Sequence, residues 1–245
     1  MEREEKLMKS NKWKFLLTGA ATLTLLTACT QASSQSATTS NTPQTTATTN
    51  KTTNTNYFTD KDKDTSYDES TASTVKLSGS SATVSGDGVA VSGSTVTISK
   101  AGTYVISGES DGVQIKVEAG DSDDVHIVLK GVTMTNTNAP ISATKAGHVY
   151  LTLAEGMTNT LSDSSSNNDE DADAVIFSKG DLTINGSGTL NIDAKKNNGI
   201  KANDTLHITG GTYKITAVGD AFNVNDELNI TGTTMTIDAD EDAVK

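Results

Sequence analysis

The last forty residues of this chain contain one unit written twice. Leu206 and Ile208 recur as Leu228 and Ile230, Gly210 as Gly232 and Ile215 as Ile237, each at i+22. Asp220, Phe222 and Asn225 stand at the same interval after Asn198, Ile200 and Asn203, and Asp242-Ala243-Val244 does so after Asp220-Ala221-Phe222. An earlier copy, LTING from Leu182, precedes Leu206 by slightly more, so small insertions are tolerated. A fixed period of roughly 20 to 30 residues is the mark of a solenoid, whose units bury their apolar sides on one another.

The unit itself is made of strands. VTISKAG, YVISG, VHIVLKG, VYLTLAEG, LTINGSG, LHITGG, YKITAVG and LNITG alternate apolar and polar residues and close on Gly, Asn or Asp. No stretch beyond the first thirty residues carries a helical stripe, so the solenoid must be a β-helix. Each 22-residue coil holds three strands, LxI, then YxI or MxI, then AFxV, and residues 75–245 have room for some seven coils. A four-stranded propeller blade does not fit into so short a unit, and the strands of a sandwich do not recur at fixed intervals. Hydrophobic residues make up 34% and aromatic residues 4% of the chain. That suits many thin layers of Val, Ile and Thr better than one broad core. The chain stops at Val244-Lys245 in mid-coil without a capping element, which reads as a fragment of a longer protein or an end covered by a partner.

The first thirty residues read as an address. Lys9, Lys12 and Lys14 precede an apolar run from Phe15 to Leu26, which ends in Leu26-Thr27-Ala28-Cys29. A basic region, about a dozen apolar residues and small residues before the cut make a secretory signal, too short to span a membrane. LTAC resembles the lipobox of bacterial lipoproteins, which implies cleavage after residue 28 and a lipid on Cys29. Residues 29–57, rich in Thr, Ser, Asn and Gln, are expected to be a disordered stalk. The domain is expected over 58–245, as a monomer lipid-anchored at the extracellular face of the membrane. Residues 1–28 carry five Lys/Arg and three Asp/Glu, so the mature chain has 14 basic and 28 acidic residues, net −14. Such a surface repels phosphates and excludes nucleic acid as a partner.

The repeat also poses an electrostatic problem. Equivalent positions in successive coils lie about 4.8 Å apart, so Asp220 and Asp242 stack above Asn198, with Asp238 and Asp240 just before Asp242. Two carboxylates about 5 Å apart repel by roughly 3 kcal/mol at an effective dielectric of about 20. Calcium, which takes 6 to 8 oxygens, is the expected compensation. A second acidic set runs from Asp163 through Asp169, Glu170, Asp171 and Asp173, and Asp169, Asp171 and Asp173 in it imitate the start of an EF-hand. The match fails at the sixth and twelfth positions, which are Ala174 and Gly180. Asp173-Ala174 is expected to stand one coil before Asn198-Gly199. Asp60, Asp62, Asp64 and Asp68 form a third set, read as solvated turn chemistry. The expected metal set is Asp171, Asp173, Asn198, Asp220, Asp240 and Asp242.

Catalysis has little behind it. His126, His148 and His207 read as outward strand residues without metal spacing, and no nucleophile or phosphate motif occurs. Lys201 and Lys245 share a stack position beside the acidic turn, with Asn223 between them. A lysine there could take the C5 proton of a uronate, so both are weak candidates for a lyase base, but balancing the nearby acids is the plainer role. The chain is expected not to be an enzyme.

The stretches FSKGDLTINGSGTLNI, NGIKANDTLHITGGTYKITAVGDAFNVND and AGTYVISGESDGVQIKVEAGDSDDVHIVLKGVTMTN resemble a family of bacterial surface proteins. These are the carbohydrate-binding domain-containing proteins, common as lipoproteins in Firmicutes. The resemblance runs from Phe58 to Lys245. It implies a right-handed parallel β-helix with bound calcium, similar in fold to calcium-dependent polysaccharide lyases. It also implies binding of plant-type glucans and acidic sugars rather than cleavage. Carried onto this chain, it makes Asp171, Asp173, Asp220 and Asp242 calcium ligands. The family often has Asp-Gly where this chain has Asp-Ala, and Asn198 withdraws one charge. Without Trp13 the mature chain has no tryptophan to stack on a sugar ring. An acidic glycan bridged by calcium therefore suits it better than a neutral one. The alternatives are a structural or adhesive surface protein without a glycan ligand, and a calcium-dependent uronate lyase.

Overall fold

The computed structural model describes residues 57–167 and 169–245, and the backbone of a short strand at Phe15–Leu17. Cys29 and most of the expected leader and stalk lie outside the described residues. In chain order the elements are β1 (Phe15–Leu17), α1 (Asp60–Lys63), β2 (Ser73–Gly79), β3 (Ser81–Ser85), β4 (Val89–Ser92), β5 (Thr95–Ile98) and β6 (Gly102–Asp111). There follow β7 (Gln114–Glu118), β8 (Asp124–Thr135), β9 (Ile141–Lys145), β10 (His148–Leu153) and β11 (Thr158–Ser162). The remaining coils hold β12 (Ala174–Ser178), β13 (Leu182–Gly186), β14 (Thr189–Ala194), β15 (Asn198–Ala202), β16 (Thr205–Ile208), β17 (Thr212–Ala217), β18 (Phe222–Val224), β19 (Glu227–Ile230) and β20 (Thr234–Ala239).

The strands form a parallel β-helix with three faces. Face 1 runs through the first halves of β6 and β8 and then β10, β13, β16 and β19. Face 2 runs through the second halves of β6 and β8 and then β11, β14, β17 and β20. Face 3 is β5, β7, β9, β12, β15 and β18, extended by a bridge from Phe222 to Val244. The three strand motifs of the repeat thus fall one to a face. In β8 the chain turns from face 1 to face 2 without leaving the ladder, whereas later coils break at the corner. Gly186 shows why the later corners need glycine: its φ is +97°, and a Cβ there would lie 2.2 Å from the Leu153 carbonyl oxygen.

Side chains of equal register fill the interior. On face 1, Tyr104, Ile127, Leu151, Ile184 and Ile208 are buried in one stack that ends at Ile230. On face 3 the stack is Val96, Ile115, Ile141, Ile176, Ile200 and Phe222. The face 1 stack also measures the coils, since its residue numbers rise in turn by 23, 24, 33, 24 and 22. The period seen in the sequence belongs to the last interval, and the coil from Leu151 to Ile184 is longer than its neighbours by a whole loop. The N-terminal end is closed by antiparallel strands, β3 on β2 and β4 on β5, which cover both open edges. At the other end β1 pairs antiparallel with β20. That strand falls within the expected leader, so cleavage before Cys29 would confine the pairing to the uncut precursor.

Residues 57–72 form a strap that crosses the strands of face 1 on the outside. It contains a single helical turn, α1, too short to leave a stripe in the sequence. Thr59 caps it, and Asp62 returns a carboxylate to the Thr59 backbone in a capping box. The third acidic set is therefore not uniformly solvated: Asp62 is 1% exposed. Its Oδ1 accepts from Thr183 at 2.6 Å, and Oδ2 accepts from the Thr59 backbone and side chain at 2.7 and 2.8 Å. The Asp62 carbonyl accepts from Thr209 at 2.6 Å and from Asn185 at 3.3 Å. Lys61 pairs with Asp124 and lies 4.7 Å from the Tyr150 ring, while Tyr67 and Ala72 pack on Val105, Val128 and Ala154.

Candidate functional site

The long coil spends its extra residues at the corner between faces 2 and 3. There 163–173 joins β11 to β12, where the next coil needs only Lys195, Lys196 and Asn197 between β14 and β15. The excursion overhangs that short turn. Between them lies a cleft of about 510 Å³ lined by Ser165, Ser166, Asn167, Asp169, Glu170, Asp173, Lys196 and Asn197.

Two devices hold the loop up. At its base Asp163 is 2% exposed, with Oδ1 accepting from the Lys195 backbone at 2.7 Å and Oδ2 from Asn167 Nδ2 at 3.3 Å. Burial outweighs these bonds and raises the Asp163 pKa above the ordinary carboxylate value. Along the loop, Asn167 Oδ1 accepts from the Asp169 backbone, and Asp169 Oδ1 accepts from the backbones of Asp171 and Ala172. Its far end is fastened by Ala172, which packs on Ala139 and the outward ring of Phe177.

Beneath the loop a ladder of amides and acids follows the same corner. The Asp220 backbone donates to Asn198 Oδ1 at 3.1 Å, and the Asp242 backbone donates to Asp220 Oδ1 at 3.2 Å. Asn198 and Asp220 are buried, at 2% and 1% exposure. The register corrects one sequence expectation. Ala174, not Asp173, lies opposite Asn198. Asp173 is displaced by one residue and accepts from Asn197 Nδ2 at 2.5 Å. Matching Asp173-Ala174 to Asn198-Gly199 as two acid-or-amide and small-residue pairs set the interval one residue too long, since the strands pair at Ala174↔Asn198 and Ile176↔Ile200.

The structure therefore brings Asp173, Asn198, Asp220 and Asp242 onto one ladder. Asp171 sits exposed on the overhanging loop. Asp240 lines a separate recess of about 260 Å³ with Asp193, Lys195, Thr216, Val218 and Asp238. The lysines fall where the stack predicts. Lys201 is in register with Asn223, and the Phe222–Val244 bridge sets Lys245 beside Asn223. Lys201 Nζ lies 2.6 Å from Asp173 Oδ1, and Lys245 Nζ lies 3.5 Å from Asp220 Oδ2.

These contacts answer the electrostatic problem without an ion on the ladder. Asp220 Oδ1 is used by a backbone donor, and Oδ2 by Asn223 at 2.9 Å and by Lys245. A calcium ion at Asp220 would have to displace this amide and this ammonium. Among the described residues no three His, Cys, Asp or Glu side chains converge at metal-binding distance. The acids turned outward are those of the cleft rim and of the second recess. Asn167 and Asn197 escaped the sequence reading, and Asp163 was read only as the first of an acidic set, because nothing but the departure from the repeat length marks their part in the loop.

A family model described as carbohydrate-binding domain-containing protein matches residues 92–245. This chain belongs to that family. The match covers the helix from β5 onward, including the long coil and the ladder. A carbohydrate-binding domain-containing protein of Acetivibrio thermocellus is 39% identical over 125 residues, which cover 49% of this chain and 44% of that relative. The chain thus spans less than half the length of that relative. Among solved structures it is similar to a polysaccharide lyase-like protein from C. thermocellum, determined as a gadolinium derivative. The TM-score is 0.62 at 26% identity, covering 71% of this chain and 94% of that one.

Proposed function

We propose that the cleft under 163–173 is where this family member holds its carbohydrate, and that the ligand is an acidic polysaccharide bridged by calcium. The observation that carries the reading is the single long coil, whose excess builds a polar cleft at a corner the other coils leave tight. Serine hydroxyls, Asn167, Asn197 and Lys196 offer donors for sugar hydroxyls and for a carboxylate. Asp169, Glu170 and Asp173 are the cleft acids through which calcium would be shared with a uronate, and the ion reverses their repulsion of that sugar. A ligand there would have Asp173 positioned by Asn197 and Lys201, and the loop held at its base by Asp163.

Both lysines considered as bases are engaged by carboxylates, which favours a binding protein over a lyase. Cys29 is read as the lipid-anchored N-terminus, holding the domain at the outer face of the membrane on its stalk. Replacing Cys29 by alanine should release the protein from membranes. The deciding experiment is retention on polygalacturonate, alginate and a neutral glucan, with calcium and then with chelator. Calcium-dependent retention on the uronates, lost in Glu170→Gln and Asp173→Asn, supports the reading. A folded protein that ignores every polymer points instead to a structural or adhesive role. Ultraviolet-absorbing unsaturated products would make it a lyase.

A further inference from the structure

All three histidines of the chain lie beneath the strap. His126 and His207 belong to one outward ladder of face 1, His126–Tyr150–Thr183–His207, and His148 is stacked on Tyr150 at 4.1 Å. Each reaches the strap by its own route. The Asp62 carboxylate can only accept, so Thr183 spends its proton on Asp62 Oδ1 and must accept from His148 Nε2 at 2.9 Å. Thr152 donates to Asn185 Oδ1 at 2.6 Å and so accepts from His126 Nε2 at 2.7 Å. Asn185 Nδ2 in turn donates to the strap carbonyls of Asp62 and Asp64, at 3.3 and 2.9 Å. Both rings are thereby assigned the Nε2–H form. His207 Nδ1 lies 3.2 Å from Asp62 Oδ2, off the line of a good hydrogen bond, with its ring edge-on to Phe58.

We propose that this network is an acid-released latch: with His126 and His148 neutral the strap stays on face 1, and protons taken up by these two rings free it. The strap joins the helix to everything N-terminal of it. Freeing residues 57–71 would add about 50 Å to the reach of that tether and expose Thr152, Thr183 and Asn185, which are now buried.

The groups around each ring set the sign. His126 faces Asp64 and Lys61 of the strap, and burial lowers its pKa more than Asp64 raises it. His148 faces Asp62 of the strap, Asp124 and Asp181 of the solenoid, and His207; burial again dominates and lowers its pKa. A histidine held below its ordinary value takes up protons more readily once the strap is off. Docking therefore weakens as pH falls below about 6.5, through the range between the free and docked values. Asp62 adds a second loosening only far lower, between 3.8 and about 2.

The test is hydrogen exchange of the full chain at pH 7.5 and 5.0, corrected for intrinsic rates. Amides of 58–68 are compared with those of β13. The latch predicts a several-fold loss of protection in the strap alone at pH 5.0. It also predicts little change in His126→Gln/His148→Gln, whose amides still donate but do not titrate. Equal loosening of strap and β13, or a double variant that loosens like the natural chain, overturns it. Should the double variant not fold, ring-proton titration of the three histidines in the natural chain decides. Two rings titrating below the ordinary value support the latch, and none doing so overturns it.

Discussion

Asp62 and Asp163 are both buried aspartates, and they have opposite electrostatic fates. Burial pushes Asp62 up, but bonds from Thr183 and from the backbone and side chain of Thr59, with His207 alongside, outweigh it and lower its pKa to about 2. Asp163 has one short backbone donor and one long amide contact, and burial wins. The strap is thus locked by a carboxylate that is better off charged, and the cleft loop rests on one that is not. A fully partnered acid makes a joint that its own titration does not loosen until far below neutral pH, whereas an under-partnered acid makes a weaker joint. The loop over the candidate binding cleft has the second kind.

The same substitution should separate the two. Asp62→Asn removes a charge that the fold stabilises, and it should cost about 2 kcal/mol at pH 7, read as a lower midpoint in urea. Because its folded pKa is depressed, that difference should persist above pH 3.8 and fade as pH drops toward 2. Unchanged stability in this variant would break the comparison at its stronger end.

Asp220 is buried like the other two and is bonded to the Asp242 backbone, Asn223 and Lys245. Asp220→Ala leaves a backbone donor and an amide without partners and should cost about 1–2 kcal/mol. Urea melts with calcium and with chelator would show whether an ion shares this position. The ladder as described predicts no difference between them in the loss caused by Asp220→Ala.

Asp163→Asn should be the reverse of Asp62→Asn, neutral or stabilising by about 0.5–1 kcal/mol at pH 7. The sign follows from a raised folded pKa: the natural chain gains from protonation of Asp163 as pH falls and loses that gain as pH rises through the folded value. A clear loss of stability at pH 7 would mean that the Lys195 and Asn167 bonds outweigh burial after all. Smallest of all, Glu170→Gln on the exposed rim should change stability by less than about 0.5 kcal/mol. Its effect should appear only in calcium-dependent retention on uronates.

How much of this was legible beforehand depends on whether a residue obeys the repeat. Leu206, Ile208, Ile215 and Phe222 obey it, and their faces, stacks and partners followed from counting. Asp220 and Asp242 obey it too, and their stacking was foreseen, although a backbone donor lies between them. Asp173 was misplaced by one residue because its Asp-Ala pair was matched to Asn198-Gly199 by residue type, whereas the strands pair Ala174 with Asn198. The cleft could be seen only as a lapse in the period between Leu151 and Ile184, which said nothing of how the loop folds back. Asp62 had no signal beyond its own helical turn.

The sequence by itself determined the solenoid, because a period-2 pattern repeated at a nearly constant interval leaves its apolar faces nowhere to go but onto the next coil. It also determined the acidic surface and the corner where acids gather. Only the tertiary structure decided which acids are spent and which remain open to a ligand. A carboxylate's state depends on donors brought to it across 121 residues in the case of Thr183 and Asp62, or 32 in that of Lys195 and Asp163. Separations of that kind follow no period, so they could not be counted from the sequence.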